Sequence, residues 1–116
     1  MKNHPAAVAQ VDLAEALEKG PPPPGNLAVP IFAHGSLVAE LYTPHGHDPQ
    51  QPHDRDEIYV VARGTGQFFD GSDRRAVGPG TFIFVAAGQV HRFEEFSSDF
   101  AVWVFFYGPR GGEAAG

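Results

Sequence analysis

Short apolar runs separated by turn-forming residues fill most of the chain, and this rhythm restricts the fold more than any other feature. The runs are rich in the branched and aromatic residues that favour strands, as in NLAVPIFA, SLVAELY, EIYVVAR, TFIFVA and FAVWVFFY. Clusters of Gly, Pro, Ser and Asp lie between them and are typical of turns. Seven or eight short strands at a spacing of roughly 8–12 residues predict an all-β sandwich or barrel.

The composition fits one packed domain of this kind. The chain has 116 residues, of which 42% are hydrophobic, so it can bury a core. It has no cysteine, which excludes disulfides, thiolate metal sites and a cysteine nucleophile. The net charge of -6 and the scattered Lys and Arg argue against nucleic acid or an anionic membrane as a partner. We find no pattern typical of a signal peptide or a membrane span, and we expect a cytoplasmic protein.

Two flanking segments differ from the strand-rich middle of the chain. VDLAEALEKG predicts a short helix, because Asp12 and Glu15 have the spacing of a capping box. PPPPG follows as an extended spacer, and GPRGGEAAG predicts a flexible tail. We therefore divide the chain into an N-terminal helix and spacer (1–25), a β domain (26–107) and a Gly-rich tail (108–116).

The polar loop TPHGHDPQQPHDRD leads into the strand that Glu57 begins, and it carries candidate metal ligands. Gln51, His53 and Glu57 have the same parity, so they would share a face in an extended chain. A straight strand would hold His53 and Glu57 about 13 Å apart, whereas metal ligands lie about 2 Å from one ion. A shared metal ion therefore requires the chain to bend at residues 54–56.

This stretch resembles the first motif of the cupin family of small jelly-roll barrels. The motif is Gly, five residues, His-x-His, three or four residues, Glu, six residues and Gly. Gln-Pro-His at 51–53, Glu57 and Gly64 follow this spacing. Gln51 replaces the first His, and the leading Gly is absent from its expected position.

A second stretch resembles the other cupin motif, which is Gly, five residues, Pro-x-Gly, two residues, His, three residues and Asn. Gly80, Ala-Ala-Gly at 86–88 and His91 follow that spacing, with Ala in place of Pro and Glu95 in place of Asn. The resemblance covers about residues 26–107. It implies a single-domain, cupin-type jelly-roll β-barrel, to which the chain adds a short N-terminal helix.

The resemblance implies one divalent metal ion, with four ligands drawn from both motifs: Gln51, His53, Glu57 and His91. Such nitrogen and oxygen donors suit iron, manganese, nickel, copper or zinc, and composition does not rank them. In His45-Gly46-His47, His47 is the alternative to Gln51; otherwise these two histidines are exposed loop residues. A lone His or Glu beside a turn is usually solvated, so the metal hypothesis depends on His91.

Three functions remain open for such a chain. The first is a metal-dependent enzyme, an oxygenase or isomerase, that acts on a small organic molecule with Glu57 as a catalytic base. The second is a non-catalytic module that binds or senses a small molecule, and the third is a purely structural metal site. We also expect a homodimer, because exposed sheet edges favour pairing.

Other polar residues are not proposed as metal ligands. Tyr42, Tyr59 and Tyr107 are candidates for hydrogen bonds in a barrel pocket, because their rings can pack while their hydroxyls stay polar. His34 is expected in a hairpin turn and His4 in a mobile terminus, and neither is given a role.

Overall fold

The computed structural model describes residues 7–114, so His4 and the two C-terminal residues lie outside the described part. Helix α1 spans Leu13–Glu18, as predicted. The backbone N–H of Asp12 donates to the Glu15 carboxylate at 3.2 Å, which is one arm of the predicted capping box. Within residues 7–114, no helix has the length and apolar character needed to cross a bilayer.

Eight strands follow the helix in the described part of the chain, and all of their pairings are antiparallel. They are β1 (Val29–His34), β2 (Leu37–Tyr42), β3 (Asp56–Arg63), β4 (Gly66–Phe69), β5 (Arg74–Val77), β6 (Phe82–Val85), β7 (Arg92–Glu94) and β8 (Ala101–Tyr107). One sheet has the order β1-β2-β8-β3-β6 and the other has the order β5-β4-β7. The prediction of an all-β fold with a short N-terminal helix is confirmed.

The register of the larger sheet decides which side chains face the core. Tyr59 in β3 pairs with Val104 in β8, and Val104 pairs with Glu40 in β2. Paired residues of neighbouring strands point to the same side of a sheet. Because Tyr59 and Val104 are buried in the main core cluster, Glu40 is on the inward face too. Tyr59 and Val61 have the same parity as Glu57 in β3, and all three are buried.

The opposite face of the same sheet is apolar and only partly covered. Helix α1 covers one end through Ala16, which packs with Leu41 and Ala101 in a second core cluster. The other end, on edge strand β6, leaves Phe82 63% exposed and Phe84 50% exposed. The larger sheet therefore has one apolar face in the core and a second one that is partly exposed.

Part of the segment predicted to be a flexible tail folds back onto the start of β3. The backbone N–H of Gly111 donates to the Asp54 carbonyl at 2.6 Å. The backbone N–H of Glu113 donates to the Asp56 carboxylate at 2.9 Å. These two bonds join the C-terminal segment to the polypeptide that carries His53 and Glu57.

Candidate metal site

Three of the predicted ligands meet in space. Ligand atoms of His53, Glu57 and His91 all lie within 4.8 Å of one another. The chain bends at Asp54 and Arg55, and this brings Nε2 of His53 to 3.7 Å from Oε1 of Glu57. The bend required by the spacing is therefore present. His91 arrives from the other sheet, directly before β7.

The two cupin-like stretches are hydrogen-bonded to each other beside this cluster. The backbone N–H of Gly88 donates to the His53 carbonyl at 2.7 Å. The backbone N–H of Ala87 donates to Oδ1 of Asp56 at 2.9 Å. The turn that precedes His91 is thus fixed to the segment that carries the other two ligands.

His91 is buried, with 3% exposure, and its orientation is set by the backbone. Its Nδ1 lies 2.8 Å from the carbonyl oxygen of Gln89, and a carbonyl only accepts, so Nδ1 carries the hydrogen. In the neutral ring, Nε2 then has a lone pair. Nε2 lies 2.8 Å from Oε1 of Glu57. An imidazole whose second nitrogen donates to a carbonyl is the usual arrangement of a metal-binding histidine.

Glu57 is fully buried, at 0% exposure, and neither of its carboxylate oxygens receives a hydrogen bond from the described residues. A buried carboxylate without a partner costs several kcal/mol. Its Oε1 faces the lone pair of His91, and two acceptors at this distance repel unless a cation lies between them. A proton on His91 or a metal ion supplies that cation, so the residues present fit a divalent metal ion.

Without a metal ion, the same contacts favour a proton on His91. Burial by itself lowers the pKa of His91. A protonated His91 would donate from Nε2 to Glu57 and from Nδ1 to the Gln89 carbonyl, and these contacts, together with the negative charge of Glu57, outweigh burial and raise the pKa above its ordinary value. The site therefore attracts positive charge at the point where its ligand atoms converge.

The amide beside the cluster belongs to Gln50, whereas Gln51 is exposed. Oε1 of Gln50 lies 3.1 Å from Nε2 of His53 and accepts a hydrogen bond from the Tyr59 hydroxyl at 2.7 Å. The sequence predicted an amide oxygen at the site. The structure brings Gln50 there and leaves Gln51 at the surface.

Asp48 holds Gln50 in this orientation. Its buried carboxylate accepts hydrogen bonds from the Gln50 side chain at 2.5 Å and from the Phe93 backbone at 2.9 Å. It also accepts the hydroxyl hydrogen of Tyr42. Because the Gln50 NH₂ group is bound to Asp48, the amide oxygen is turned toward the metal-ligand cluster.

Two of the three tyrosines proposed as pocket residues lie at the site. The Tyr59 hydroxyl is 3.0 Å from Nε2 of His91, and burial together with the nearby negative charges of Glu57 and Asp48 raises the pKa of Tyr59. Tyr59 therefore stays protonated at neutral pH and donates to Gln50. Tyr42 lines the adjacent cavity, but Tyr107 is not among its lining residues.

A cavity of about 320 Å³ opens beside the cluster. Its walls come from β2, β3, β8, the loop before β3 and the segment that follows the proline run, and they include Glu40 and Phe106. Burial, followed by the negative charge of Glu57, raises the pKa of Glu40. The cavity has the size of a small-molecule site and borders the side chains that can hold a metal ion.

His45 and His47 are exposed and lie outside the ligand cluster, although both line a separate groove beside the helix. The residues that the sequence did not single out are Glu40, Asp48 and Gln50. Glu40 had only a partial signal, because it has the parity of Tyr42 in SLVAELY, and that parity does not say which face of the strand is buried. Asp48 and Gln50 had none, since a hydrogen bond within an irregular loop brings them to the site.

Comparisons with known proteins identify the fold. The family model of the cupin domain matches residues 39–107, more than half of the chain. An uncharacterized protein from Streptomyces coelicolor is 37% identical over 63 residues, which are 54% of this chain and 60% of that protein. The chain thus spans less than two thirds of this curated relative.

Two solved structures illustrate the structural similarity. The DMSP lyase DddQ from Ruegeria pomeroyi superposes with a TM-score of 0.57 at 29% identity, over 66% of this chain and 41% of that one. A cupin-2 domain protein from Shewanella frigidimarina superposes with a TM-score of 0.62 at 14% identity, over 82% of this chain and 91% of that one. The second similarity concerns the fold alone.

Proposed function

This chain belongs to the cupin domain family, and we propose that it is a metal-dependent enzyme that acts on a small organic molecule. One observation carries the proposal: the fully buried carboxylate of Glu57 has no hydrogen bond and faces a histidine lone pair beside an open cavity. A structural metal site is normally closed by protein ligands, whereas a catalytic one keeps a position free. The adjacent cavity therefore favours an enzyme or a binding module over a purely structural site.

His53, Glu57 and His91 would hold the ion, and Gln50 would offer its amide oxygen as a fourth donor in the place first predicted for Gln51. Iron, manganese, nickel, copper and zinc all suit this donor set. When bound, the ion would act as a Lewis acid on an oxygen of the substrate or activate oxygen.

The surrounding residues orient the ligands and hold protons. The Gln89 carbonyl fixes the His91 ring, and Asp48 fixes the Gln50 amide. Tyr59 keeps its hydroxyl hydrogen and donates it to Gln50, so it holds a proton within 3.0 Å of His91. Glu57, as a metal ligand with a free oxygen, is the candidate base.

The reaction type is the finer part of the proposal. An oxygenase or an isomerase is expected from the family resemblance, and the similarity to a DMSP lyase adds elimination to the reactions worth assaying. That lyase is matched over only 41% of its chain, so its activity is a proposal here. A non-catalytic binding or sensing module is the alternative that uses the same cavity.

The test is a metal count. Protein purified without a chelator should contain about one divalent ion per chain by elemental analysis, and a His53→Ala/His91→Ala double variant should contain none. A His45→Ala/His47→Ala double variant is the matched control, because it removes two histidines outside the cluster and should keep its metal. Folded wild-type protein that takes up no ion, or equal loss in both double variants, would contradict the proposal.

We also propose that two copies of the chain pair through the exposed apolar face of the larger sheet. Phe82 and Phe84 lie there on edge strand β6. Exposed apolar patches on edge strands favour association. Light scattering should give twice the chain mass of 12.5 kDa, and the mass should fall toward that of one chain in a Phe82→Ser/Phe84→Ser variant. A wild-type mass of one chain would rule this out.

A further inference from the structure

Glu40 contributes a carboxylate to the lining of the cavity and is not one of the proposed metal ligands. It lies on the inward face of β2, in one row with Val104 and Tyr59 across three neighbouring strands. Two strand spacings separate Glu40 from Tyr59, or about 10 Å between their backbones. Glu40 and the metal ligand Glu57 therefore line one cavity from the two strands on either side of β8.

Among residues 7–114, no lysine or arginine lines the cavity to balance Glu40, and the one histidine in its lining is the metal-ligand candidate His53. The residues that line the cavity, all within the described part of the chain, include two carboxylates, Glu40 and Glu57, but no Lys or Arg. Burial and the charge of Glu57 are the influences on Glu40, and no hydrogen bond from residues 7–114 is among them. A half-buried carboxylate without a protein partner is unfavourable, and a cationic group of a ligand would relieve this cost.

If the metal site proposed above is correct, the metal end of the cavity prefers a negatively charged group of the ligand. A divalent ion together with the single carboxylate of Glu57 leaves one net positive charge there, which favours an anionic oxygen group. At the Glu40 end, the ring of Tyr42 lines the cavity from the same face of β2, whereas Phe106 packs against His53 at the metal end, with 5.0 Å between the ring centroids. An aromatic ring beside a carboxylate forms a favourable environment for an organic cation.

We propose that the cavity binds a small zwitterion, with its anionic oxygen group at the metal end and its cationic group against Glu40. This inference rests on the proposed metal site, but it assigns a separate role to Glu40, which is to select positive charge. A neutral molecule of the same shape would fill the same space and leave Glu40 without a partner.

Two probes of nearly equal shape test the charge preference. Glycine betaine carries a carboxylate and a trimethylammonium group, whereas 3,3-dimethylbutanoate carries the carboxylate and a neutral tert-butyl group. Binding of both to the protein loaded with one equivalent of Zn²⁺ is measured by calorimetry. We expect betaine to bind about tenfold more tightly to the wild type, and the two probes to bind within about twofold of each other in Glu40→Gln.

The controls separate this inference from the metal proposal. Zinc stoichiometry is measured first and should be unchanged in Glu40→Gln. Glu40→Asp keeps the negative charge and should retain most of the preference for betaine. Glu18→Gln, on the exposed helix, should retain all of that preference. Equal binding of the two probes to the wild type, or a full preference in Glu40→Gln, would overturn the role of Glu40. If the wild type takes up no zinc, the metal proposal fails, and the same pair of probes on the metal-free protein then decides whether Glu40 selects a cation.

Discussion

The two segments that build the site hold their histidines in different ways. In residues 80–95, His91 is buried and its ring is fixed by a carbonyl only two residues away. In residues 50–64, the His53 side chain is 31% exposed and contacts the Gln50 amide, which in turn depends on Asp48. One ligand is therefore oriented by local backbone, and the other by a network of side chains.

Glu57→Gln should have the largest effect, because this side chain meets the histidines of both segments. We expect metal affinity to fall by more than about 100-fold, since losing a ligand should cost at least as much as losing its supporting partner. At a pH above the pKa of His91, where that ring is neutral and Glu57 has no partner, the metal-free variant should be more stable by about 1–3 kcal/mol, because a neutral amide replaces a buried, unpaired carboxylate. Metal titration and urea unfolding in a chelator measure the two effects.

Glu94→Gln is the matched control for Glu57→Gln. Glu94 lies in β7 and pairs with Arg74 and Arg92 away from the ligand cluster, so its variant should keep the metal affinity of the wild type. A Glu57→Gln variant that is less stable than the wild type in chelator at that pH would mean that a group other than protonated His91 pairs the carboxylate.

The adjacent amides of Gln50 and Gln51 test the side-chain network that orients His53, because only Gln50 belongs to it. Gln50→Ala should lower metal affinity by about 10-fold, because it removes the oxygen beside His53 and breaks the link to Asp48. Gln51→Ala should leave the affinity unchanged, because Gln51 is exposed. Isothermal titration with Zn²⁺ compares the two variants, and the reverse order of effects would restore Gln51 as the ligand.

The contrast between these two glutamines marks the limit of what the sequence could predict. Strand rhythm predicted the β fold, and motif spacing selected Glu57 and His91, because those residues lie in or beside regular strands. Motif spacing also selected Gln51, and parity supported it by treating the loop as an extended chain. The loop is not extended, and a hydrogen bond between Asp48 and Gln50 decides which amide turns inward.

The sequence did not predict Glu40 as a cavity residue, for a different reason. Alternation in SLVAELY separates Glu40 and Tyr42 from their neighbours, but alternation alone does not say which face of a strand is buried. Pairing with Val104 of β8, more than 60 residues later in the sequence, settles that question. Such long-range pairing is a property of the folded sheet, and local patterns do not contain it.

Asp56 joins the two segments, and its contribution should depend on pH. Backbone N–H groups of Glu113 and Ala87 donate to its carboxylate and hold its pKa below the ordinary value. Stability from a lowered pKa is fully present above the unfolded-state value of about 3.9 and is lost as the pH falls through the lower folded-state value. Urea unfolding in chelator should therefore show a gap between wild type and Asp56→Asn that is constant from pH 7 to about pH 5 and closes below about pH 4.

Asp54→Asn is the control for this pH dependence, because the Asp54 side chain is exposed. Its stability should follow that of the wild type at every pH. A gap between wild type and Asp56→Asn that persists unchanged at pH 3 would show that the hydrogen bonds of Asp56 do not require its charge.

The smallest effect is expected at Glu95, which ends the segment that otherwise holds its histidine most firmly. Glu95 has a φ of 49°, in the left-handed region that Asn adopts more readily than Glu, and the cupin motif has Asn there. Glu95→Asn should raise the free energy of unfolding by up to about 1 kcal/mol, seen as a rise of about 4 °C in the melting temperature. Glu95→Ala removes the same charge without this backbone preference and should give no gain.

If both variants behave alike, charge rather than conformation governs the position. If Asn alone stabilises the protein and metal affinity is unchanged, the rigidity of this segment comes from the Gln89–His91 bond and tolerates strain at its end.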